Sequence, residues 1–326
     1  MDIQIKKKSP IVSIVMPVFN GERTLKEAID SVILQSFCDF ELIICNDAST
    51  DKTAIILESI KDERIQVIHN GVNIGPGLSR NKAIDIAKGK WLAFTDADDV
   101  WLPQRLGTLI NATDDQQNIM VFDNIIECHD TPSGLVPWHT LREQNTFGVT
   151  DCNNIIDVEI KKFISKKRYL IKPIVPAWFV KQFGIKHSAR NVHEDGEFFL
   201  NLLAKGLKLR YVSVPMYLYR ISPGSAVAAT NRNIMLLDVL ESLRIKFREF
   251  PDIQQALDGK IEMVRREEQY MRFIWSIKRG TVSGTLSEII KSPWVILELF
   301  QRIGKTVAYH SHRISHRGRT RGIRQF

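Results

Sequence analysis

Between Ile11 and Cys128, five apolar runs of strand length alternate with four segments of helical periodicity. The runs are Ile11 to Val18, Phe40 to Cys45, Ile65 to His69, Trp91 to Phe94 and Asn118 to Cys128. The segments between them are Glu22 to Gln35, Lys52 to Lys61, Leu78 to Lys88 and Leu102 to Thr113. In the first segment Leu25, Ile29, Val32 and Ile33 recur at helical spacing. Strands joined by helices through short turns form βαβ units, whose right-handed crossovers build a parallel sheet. Runs that are apolar on both faces need cover on both faces. The pattern predicts an α/β fold: a Rossmann-like, mostly parallel sheet flanked by helices. Loops that follow the strands of such a sheet gather along one edge, where ligands bind. Pro17 to Asn20, Asn46 to Asp51 and Asp96 to Asp99 are therefore expected in one crevice.

The fourth run stops at Asp96, Asp98 and Asp99, and clustered like charges cannot be buried without partners. Asp96 and Asp98 flank one small residue, so a bend there turns both toward one point. Two hard oxygen ligands suit Mg²⁺ or Mn²⁺, and such a metal usually also holds phosphates. The plainer alternative is an acidic turn in which Asp98 or Asp99 caps the following helix. Asp47, at the end of the second run, can read a nucleobase N–H or a ribose hydroxyl, or can simply shape a turn. Arg80 opens the third helix after a glycine-rich loop, where it either balances a phosphate or is a solvated arginine. Glu194 and Asp195 stand at the start of the helical stretch Glu194 to Ala204; either carboxylate is a candidate general base or a helix cap. Trp178 offers a stacking platform for a sugar, or is core. Arg220 offers a grip on a diphosphate, or ends a strand at a solvated edge. Displacement at a sugar carbon needs a base near the attacking hydroxyl and a metal to neutralise the leaving diphosphate. A carboxylate pair and a separate acid about a hundred residues later supply both parts.

Bulk properties narrow the classes further. The chain has 326 residues, 44% hydrophobic and 25% charged, as in ordinary globular proteins. No apolar run approaches the ~18 residues that span a bilayer, and the polar, lysine-rich Met1 to Pro10 does not read as a signal peptide. Cys38, Cys45, Cys128 and Cys152 lack metal-ligand spacing, which fits a reducing cytoplasm. The formal charge of +8 is localised: Arg302 to Phe326 holds seven Lys/Arg, three His and no acid. Nucleic acid and the anionic cytoplasmic leaflet are the two partners such a tail suggests. Past the regular half, Thr131 to Gly148 reads as a surface loop and Asn153 to Tyr169 as a helix. Leu209 to Tyr219 reads as a strand or hairpin, with Pro215 at an edge or bend. From Asn231 onward the chain reads as helical, and Trp294, Val295, Ile296, Leu297, Leu299, Phe300 and Ile303 form an apolar face ahead of the basic tail.

Five pieces in order resemble the family-2 inverting glycosyltransferases of GT-A fold, of the bacterial polysaccharide type. They are Val12 to Asn20, Asn46 to Thr53, Asn73-Ile74-Gly75 with Ser79-Arg80-Asn81, Asp96-Ala97-Asp98-Asp99 with Leu102-Pro103, and Glu194-Asp195. The resemblance covers roughly Ile11 to Tyr219. It implies a catalytic domain over 1–225, with a donor half over 1–128 and an acceptor half over 129–225, and a helical C-terminal region over 226–326. By position, Pro17, Phe19 and Asn20 fall at the nucleotide pocket, and Asp47 at the carboxylate that reads the base of a uridine diphosphate sugar. Arg80 falls in the donor-contact segment. Asp96 and Asp98 resemble the Asp-X-Asp motif, with Asp98 the direct ligand of Mg²⁺ or Mn²⁺ and Asp96 facing ribose or donor sugar. Asp195 resembles the catalytic base, Glu194 stands beside it, and Tyr219-Arg220, with Ser225 after it, resembles a pair on the acceptor side. Asn46 stands where many members have Asp, and Gly196 where a bulkier residue is frequent. The Gln-X-X-Arg-Trp motif of processive synthases is absent, which suggests transfer of single sugars.

The implied partners are a nucleotide-diphosphate sugar and a saccharide or polyprenyl-diphosphate-linked acceptor, in the cytoplasm or on the inner membrane surface. The long helices after Asn231 could also pair two copies. Two other classes compete. A nucleotidyltransferase shares a sheet-edge site but carries a glycine-rich basic loop after its first strand, where this chain has Pro17-Val18-Phe19-Asn20-Gly21. A non-enzymatic nucleotide or nucleic-acid binder suits the tail, but no recognition motif accompanies it.

Overall fold

The computed structural model describes residues 9–132, 134–140, 154–165, 170–190, 194–221 and 232–300. Strand β1 (Val12–Val18) is buried along its whole length and lies between β2 (Phe40–Asn46) and β4 (Trp91–Phe94), with β3 (Ile65–His69) outside β2; all these pairings are parallel. Alternate residues of β1 face different cores. Val12, Ile14, Met16 and Val18 pack with Leu25, Ile29 and Val32 of α1 (Leu25–Ile33), whereas Val15 packs with Ala83 and Ile84 of α3 (Pro76–Ile86). Helix α2 (Thr53–Ser59) lies on the α1 side through Leu57. Burial on two faces is why these strands read as unbroken apolar runs.

Pro17 sits in this central strand without breaking it. Val15 accepts a hydrogen bond from Thr95 beyond β4, and Val18 accepts one from Asp47 beyond β2. Backbone groups alternate sides, so Pro17 faces the β4 side at the level where β4 has already ended. The missing N–H costs no ladder bond there.

Beyond β4 the sheet is mixed rather than parallel. Its order is β3-β2-β1-β4-β9-β6-β10-β5, where β5 is Val100–Trp101, β6 Ile119–Thr131, β9 Ile174–Pro176 and β10 Lys208–Ile221. β9 is antiparallel to both neighbours, β10 is parallel to β6, and β5 closes the edge antiparallel to β10. Pro215 marks a bend, with the register against β6 slipping on either side of it.

Two expectations are corrected. Residues 134–140 form strand β7 (Gly134–Thr140), a hairpin partner of β6, where the sequence reads as loop. Pro132, Gly134 and Pro137 look like turn residues, yet Pro137 lies on an edge strand beside a register shift, where a missing donor is tolerated. Residues 141–148 lie outside the described residues. Of the helix expected over 153–169, the described residues form only α5 (Ile160–Ile164), and 153 and 166–169 lie outside them. Residues 155–157 instead form β8 (Ile155–Asp157) on β10, clamped where the Arg210 guanidinium donates to both Asp157 oxygens.

Helices α4 (Arg105–Asn111), α6 (Ala177–Gln182) and α7 (Glu194–Ala204) flank the sheet. The C-terminal region follows as α8 (Arg232–Lys246), α9 (Pro251–Lys278), α10 (Val282–Lys291) and a helical turn over 294–300. Leu236, Leu240, Leu243, Leu257, Ile261 and Val264 share one core with Phe163 of α5 and Phe198, Phe199 and Leu202 of α7. Each such side chain, fully buried, is worth about 1.5–3 kcal/mol, so the helical region is part of the same folded body as the sheet.

Candidate active site

The three loops at the C-terminal ends of β1, β2 and β4 meet as the topology requires. The first two are laced together: Asn20 N donates to Ser49 Oγ (3.0 Å), Thr50 N to Asn20 Oδ1 (2.8 Å), Glu22 N to Asp51 Oδ2 (2.9 Å) and Lys52 N to Glu22 Oε2 (3.0 Å). The third joins them through Thr24 Oγ1, which donates to the Ala97 carbonyl (3.0 Å). Phe19 is exposed at the rim of this floor and Pro17 is buried beneath it.

Asp47 is buried, and both its oxygens serve the glycine loop. Oδ1 accepts from Asn70 Nδ2 (2.8 Å) and Ile74 N (2.9 Å), and Oδ2 from Gly75 N (2.8 Å). Gly75 has φ +87°, left-handed backbone that glycine adopts without strain. Asp47 thus sets the course of the loop that delivers Arg80.

At the heart of the site two cations and two carboxylates form a closed ring of alternating charge. Arg80 Nη2 lies 2.7 Å from Asp96 Oδ1 and Arg80 Nη1 3.2 Å from Asp195 Oδ1. Lys172 Nζ lies 2.6 Å from Asp96 Oδ2 and 3.2 Å from Asp195 Oδ2. Glu194 joins at 3.0 Å from Arg80 Nη1. His187 Nε2 lies 3.4 Å from Asp195 Oδ1, though neither ring nitrogen has an aligned hydrogen-bond partner. The His187 ring stacks on Phe198 at 4.0 Å, and its backbone is held by Asn81, which donates to His187 O (2.8 Å) and accepts from His187 N (2.9 Å).

The ring sets the proton affinities of its members. Burial pushes Asp195 up, but Arg80, Lys172 and His187 outweigh it and hold the carboxyl well below its ordinary range. Asp96 is likewise held low, by Lys172 and Arg80 against the effect of burial. Burial lowers Lys172 and Arg80, and the carboxylates more than restore both. His187 is pushed down by burial, and Glu194 up by burial and by Asp195.

The three carboxylates of the Asp96–Asp99 turn divide the work. Asp99 is fully buried and accepts from Tyr217 Oη (2.6 Å) and Arg220 N (2.9 Å), which fastens the turn to β10. Asp96 takes one cation on each oxygen, Arg80 on Oδ1 and Lys172 on Oδ2. Asp98 keeps an open carboxylate, pushed up to about 6 by burial and by Asp96. One oxygen on each of Asp96, Asp98 and Asp99 lies within 4.8 Å of the others. A hard divalent cation fits this donor set, since Mg²⁺ is commonly held by one or two carboxylates plus substrate phosphates. The turn does not cap the next helix: β5 intervenes, and α4 begins at Arg105.

Arg220 lies behind the turn. Its Nε donates to Asp98 O (2.7 Å), Nη1 to Asp130 Oδ1 (2.5 Å) and Nη2 to Glu27, and Arg23 also pairs with Asp130. Its guanidinium is thus taken up in bracing the turn and the β6–β7 hairpin. Trp178 is not brought to this edge. β9 runs against β4, so the chain leaving β9 emerges at the opposite end of the sheet, where Trp178 Nε1 donates to Gln117 O (2.9 Å). The aromatic on the site-side hairpin is Trp138, exposed and 4.8 Å from the His129 ring. Ser225 lies outside the described residues.

Sequence reasoning missed Lys172 and His187. The available signal for Lys172 was a single lysine inside an apolar stretch, Leu170-Ile171-Lys172-Pro173-Ile174-Val175, which has to find a carboxylate if that stretch is buried. His187 gave no comparable signal.

The Glycosyl transferase family 2 profile matches residues 13–174. The chain is 32% identical over 219 residues to an uncharacterized glycosyltransferase, MJ1057, of Methanocaldococcus jannaschii, covering 65% of this chain and 71% of that one. It is 29% identical over 238 residues to the UDP-Glc:alpha-D-GlcNAc-diphosphoundecaprenol beta-1,3-glucosyltransferase WfaP of Escherichia coli, covering 72% of this chain and 88% of that one. Among solved structures, a Staphylococcus aureus TarS fragment crystallised with UDP-GlcNAc matches with TM-score 0.64 at 18% identity, over 87% of this chain and 81% of that one. The chain belongs to glycosyltransferase family 2, with the GT-A fold.

Proposed function

We propose that the protein is a metal-dependent inverting glycosyltransferase that moves one sugar from a UDP-sugar to a lipid-linked saccharide in surface-polysaccharide assembly. The observation that carries this reading is the convergence of Asp98, Asp96 and Asp195 on one edge of the sheet, from elements about a hundred residues apart in sequence. Phe19 and the loops around Asn20 and Asp47 bind the nucleotide, and Asp96 faces the ribose or donor sugar. Asp98 would hold Mg²⁺ or Mn²⁺, which neutralises charge on the departing diphosphate. Asp195 takes the acceptor hydroxyl proton as that oxygen bonds to the anomeric carbon and the bond to the nucleoside diphosphate breaks. One displacement from the opposite face inverts configuration.

WfaP is named for a GlcNAc-diphosphoundecaprenol acceptor, and this supports a polyprenyl-diphosphate-linked acceptor here. No helix among the described residues is long and apolar enough to cross a membrane. The C-terminal helices expose Leu286, Ile290, Leu297 and Phe300, and seven cationic residues follow from Arg302 onward. An apolar face with an adjoining polybasic segment suits peripheral docking on the anionic cytoplasmic leaflet.

The test is release of UDP from a panel of UDP-, GDP- and dTDP-sugars with Mn²⁺, Mg²⁺ or EDTA, with and without a short-chain prenyl-diphosphate-GlcNAc. Turnover of a UDP-sugar that EDTA abolishes is expected, and Asp98→Ala should lose the metal-dependent part of UDP binding. Activity unchanged by EDTA would remove the metal from the reading. Absence of both turnover and UDP binding would overturn it.

A further inference from the structure

We propose that Lys172 is a positioning residue of the transfer reaction, a buried ammonium that spans Asp96 and Asp195 and fixes the acceptor-side carboxylate relative to the donor-side one. This deepens the function proposed above and rests on it.

The first observation is where the lysine is. Its side chain is 3% exposed, and an ammonium taken from water needs compensating anions. It has two, at 2.6 and 3.2 Å, and they come from opposite halves of the site: Asp96 follows β4 and Asp195 opens α7.

The second observation is how the lysine is held. Its carbonyl accepts from Arg105 Nη2, and Arg105 also donates from Nε and Nη2 to Asp123 at 2.8–3.1 Å. The same guanidinium lies over the rings of Trp101 (4.4 Å) and Tyr217 (4.9 Å). Arg105 and Asp123 are fully buried behind the site and touch neither ring carboxylate, so their contact with this segment fixes the backbone from which Lys172 reaches forward. Pro173, with its φ preset, leads straight into β9.

The third observation is the division between the two cations. Arg80 also joins Asp96 to Asp195, but it carries Glu194 as well, and it comes from α3 on the nucleotide side. Lys172 closes the ring from the segment before β9. The groups that face Asp195 are therefore Arg80 from α3, Lys172 from the segment before β9, His187 from the segment after α6, and its neighbour Glu194. With the lysine gone, Arg80 and His187 still face Oδ1 of Asp195, but Oδ2 loses its cation.

The experiment compares Lys172→Met and Lys172→Arg with the wild-type full chain in Mn²⁺. It measures UDP affinity by calorimetry, and the turnover and pH profile of transfer from the UDP-sugar the wild type uses. The methionine variant should keep UDP affinity within several-fold but lose at least about tenfold in kcat, with the acid limb of its profile moved to higher pH because Asp195 has lost one of its cations. The arginine variant should recover most of the kcat and restore the limb. An unchanged kcat and limb in Lys172→Met, or a loss confined to the donor KM, would overturn the positioning role while leaving the enzyme reading intact. A wild type that binds no UDP and transfers no sugar would overturn both. If the methionine variant does not fold, Lys172→Ala assayed with and without propylammonium decides the matter: recovery of turnover by the added cation supports the role, and no recovery overturns it.

Discussion

Asp195 is held between two buried cations, and the same contact governs its chemistry and its share of stability. Its proton affinity in the folded chain is depressed well below the ordinary carboxylate range. A carboxylate depressed on folding contributes stability that is present above its unfolded value, near 3.8, and is lost as pH falls through its folded value. Asp195→Asn should therefore lower the unfolding free energy at pH 7 by about 1–3 kcal/mol, the cost of leaving a buried charge-assisted partner short. The gap in melting temperature from the wild type should narrow only as pH falls below 3.8 toward the depressed folded value. The same variant should lose transfer by about 10²–10⁴-fold while still binding UDP, as calorimetry would show. Loss of UDP binding together with transfer would move Asp195 from base to donor ligand.

At the scale of elements, α3 and the segment leading into α7 bring the ring together, and a glycine governs how closely they approach. A Cβ on Gly77 would lie 2.6 Å from the Ser188 carbonyl oxygen, 3.3 Å from His187 Cβ and 3.2 Å from Glu194 Cγ. The first contact is with backbone and cannot swing away. Gly77→Ala should cost about 1–3 kcal/mol by overpacking, read as a lower urea midpoint. It should also reduce turnover, because Arg80 lies one helical turn further along and Glu194 faces the inserted methyl. Unchanged stability and activity would mean that the two elements separate freely.

What the sequence disclosed follows the same division. Asp47, Asp96 and Asp98 were legible because each ends a buried strand of the parallel half, where topology alone assigns the edge. Thr131 to Thr140 was not, because edge strands tolerate the proline and glycine that also mark loops. Trp178 was misread and Lys172 was missed, for one reason. Placing either requires the direction of β9, and three residues, Ile174–Pro176, carry no periodicity that sets it. Once β9 is antiparallel, the residue before it moves to the site and the aromatic after it moves away.

The whole molecule couples a sheet-edge site to a C-terminal helical region through one core. Leu257, Ile261 and Val264 of α9 share one core with Phe198 and Phe199 of α7, the helix whose first turn carries Asp195. Removing residues 232–326 would expose that core and should yield protein that aggregates. Removing only residues 302–326 leaves every described core contact in place. That shorter chain should keep the wild-type melting temperature and its turnover with a water-soluble acceptor, and should lose flotation with vesicles that contain anionic lipid. Equal flotation of the two chains would assign membrane attachment to the exposed helix face or to nothing.

The burial of the charge ring bears on how ionic strength acts. Arg80 and Lys172 present 4% and 3% of their side chains to solvent. Mobile ions screen charges that face water, over a Debye length of about 8 Å at physiological strength, and screen buried pairs far less. Added salt should leave kcat at saturating donor nearly flat, while any attraction of the cationic tail to a charged surface fades. A simple salt titration would separate recruitment from chemistry, and would show at which of the two an unfamiliar variant acts.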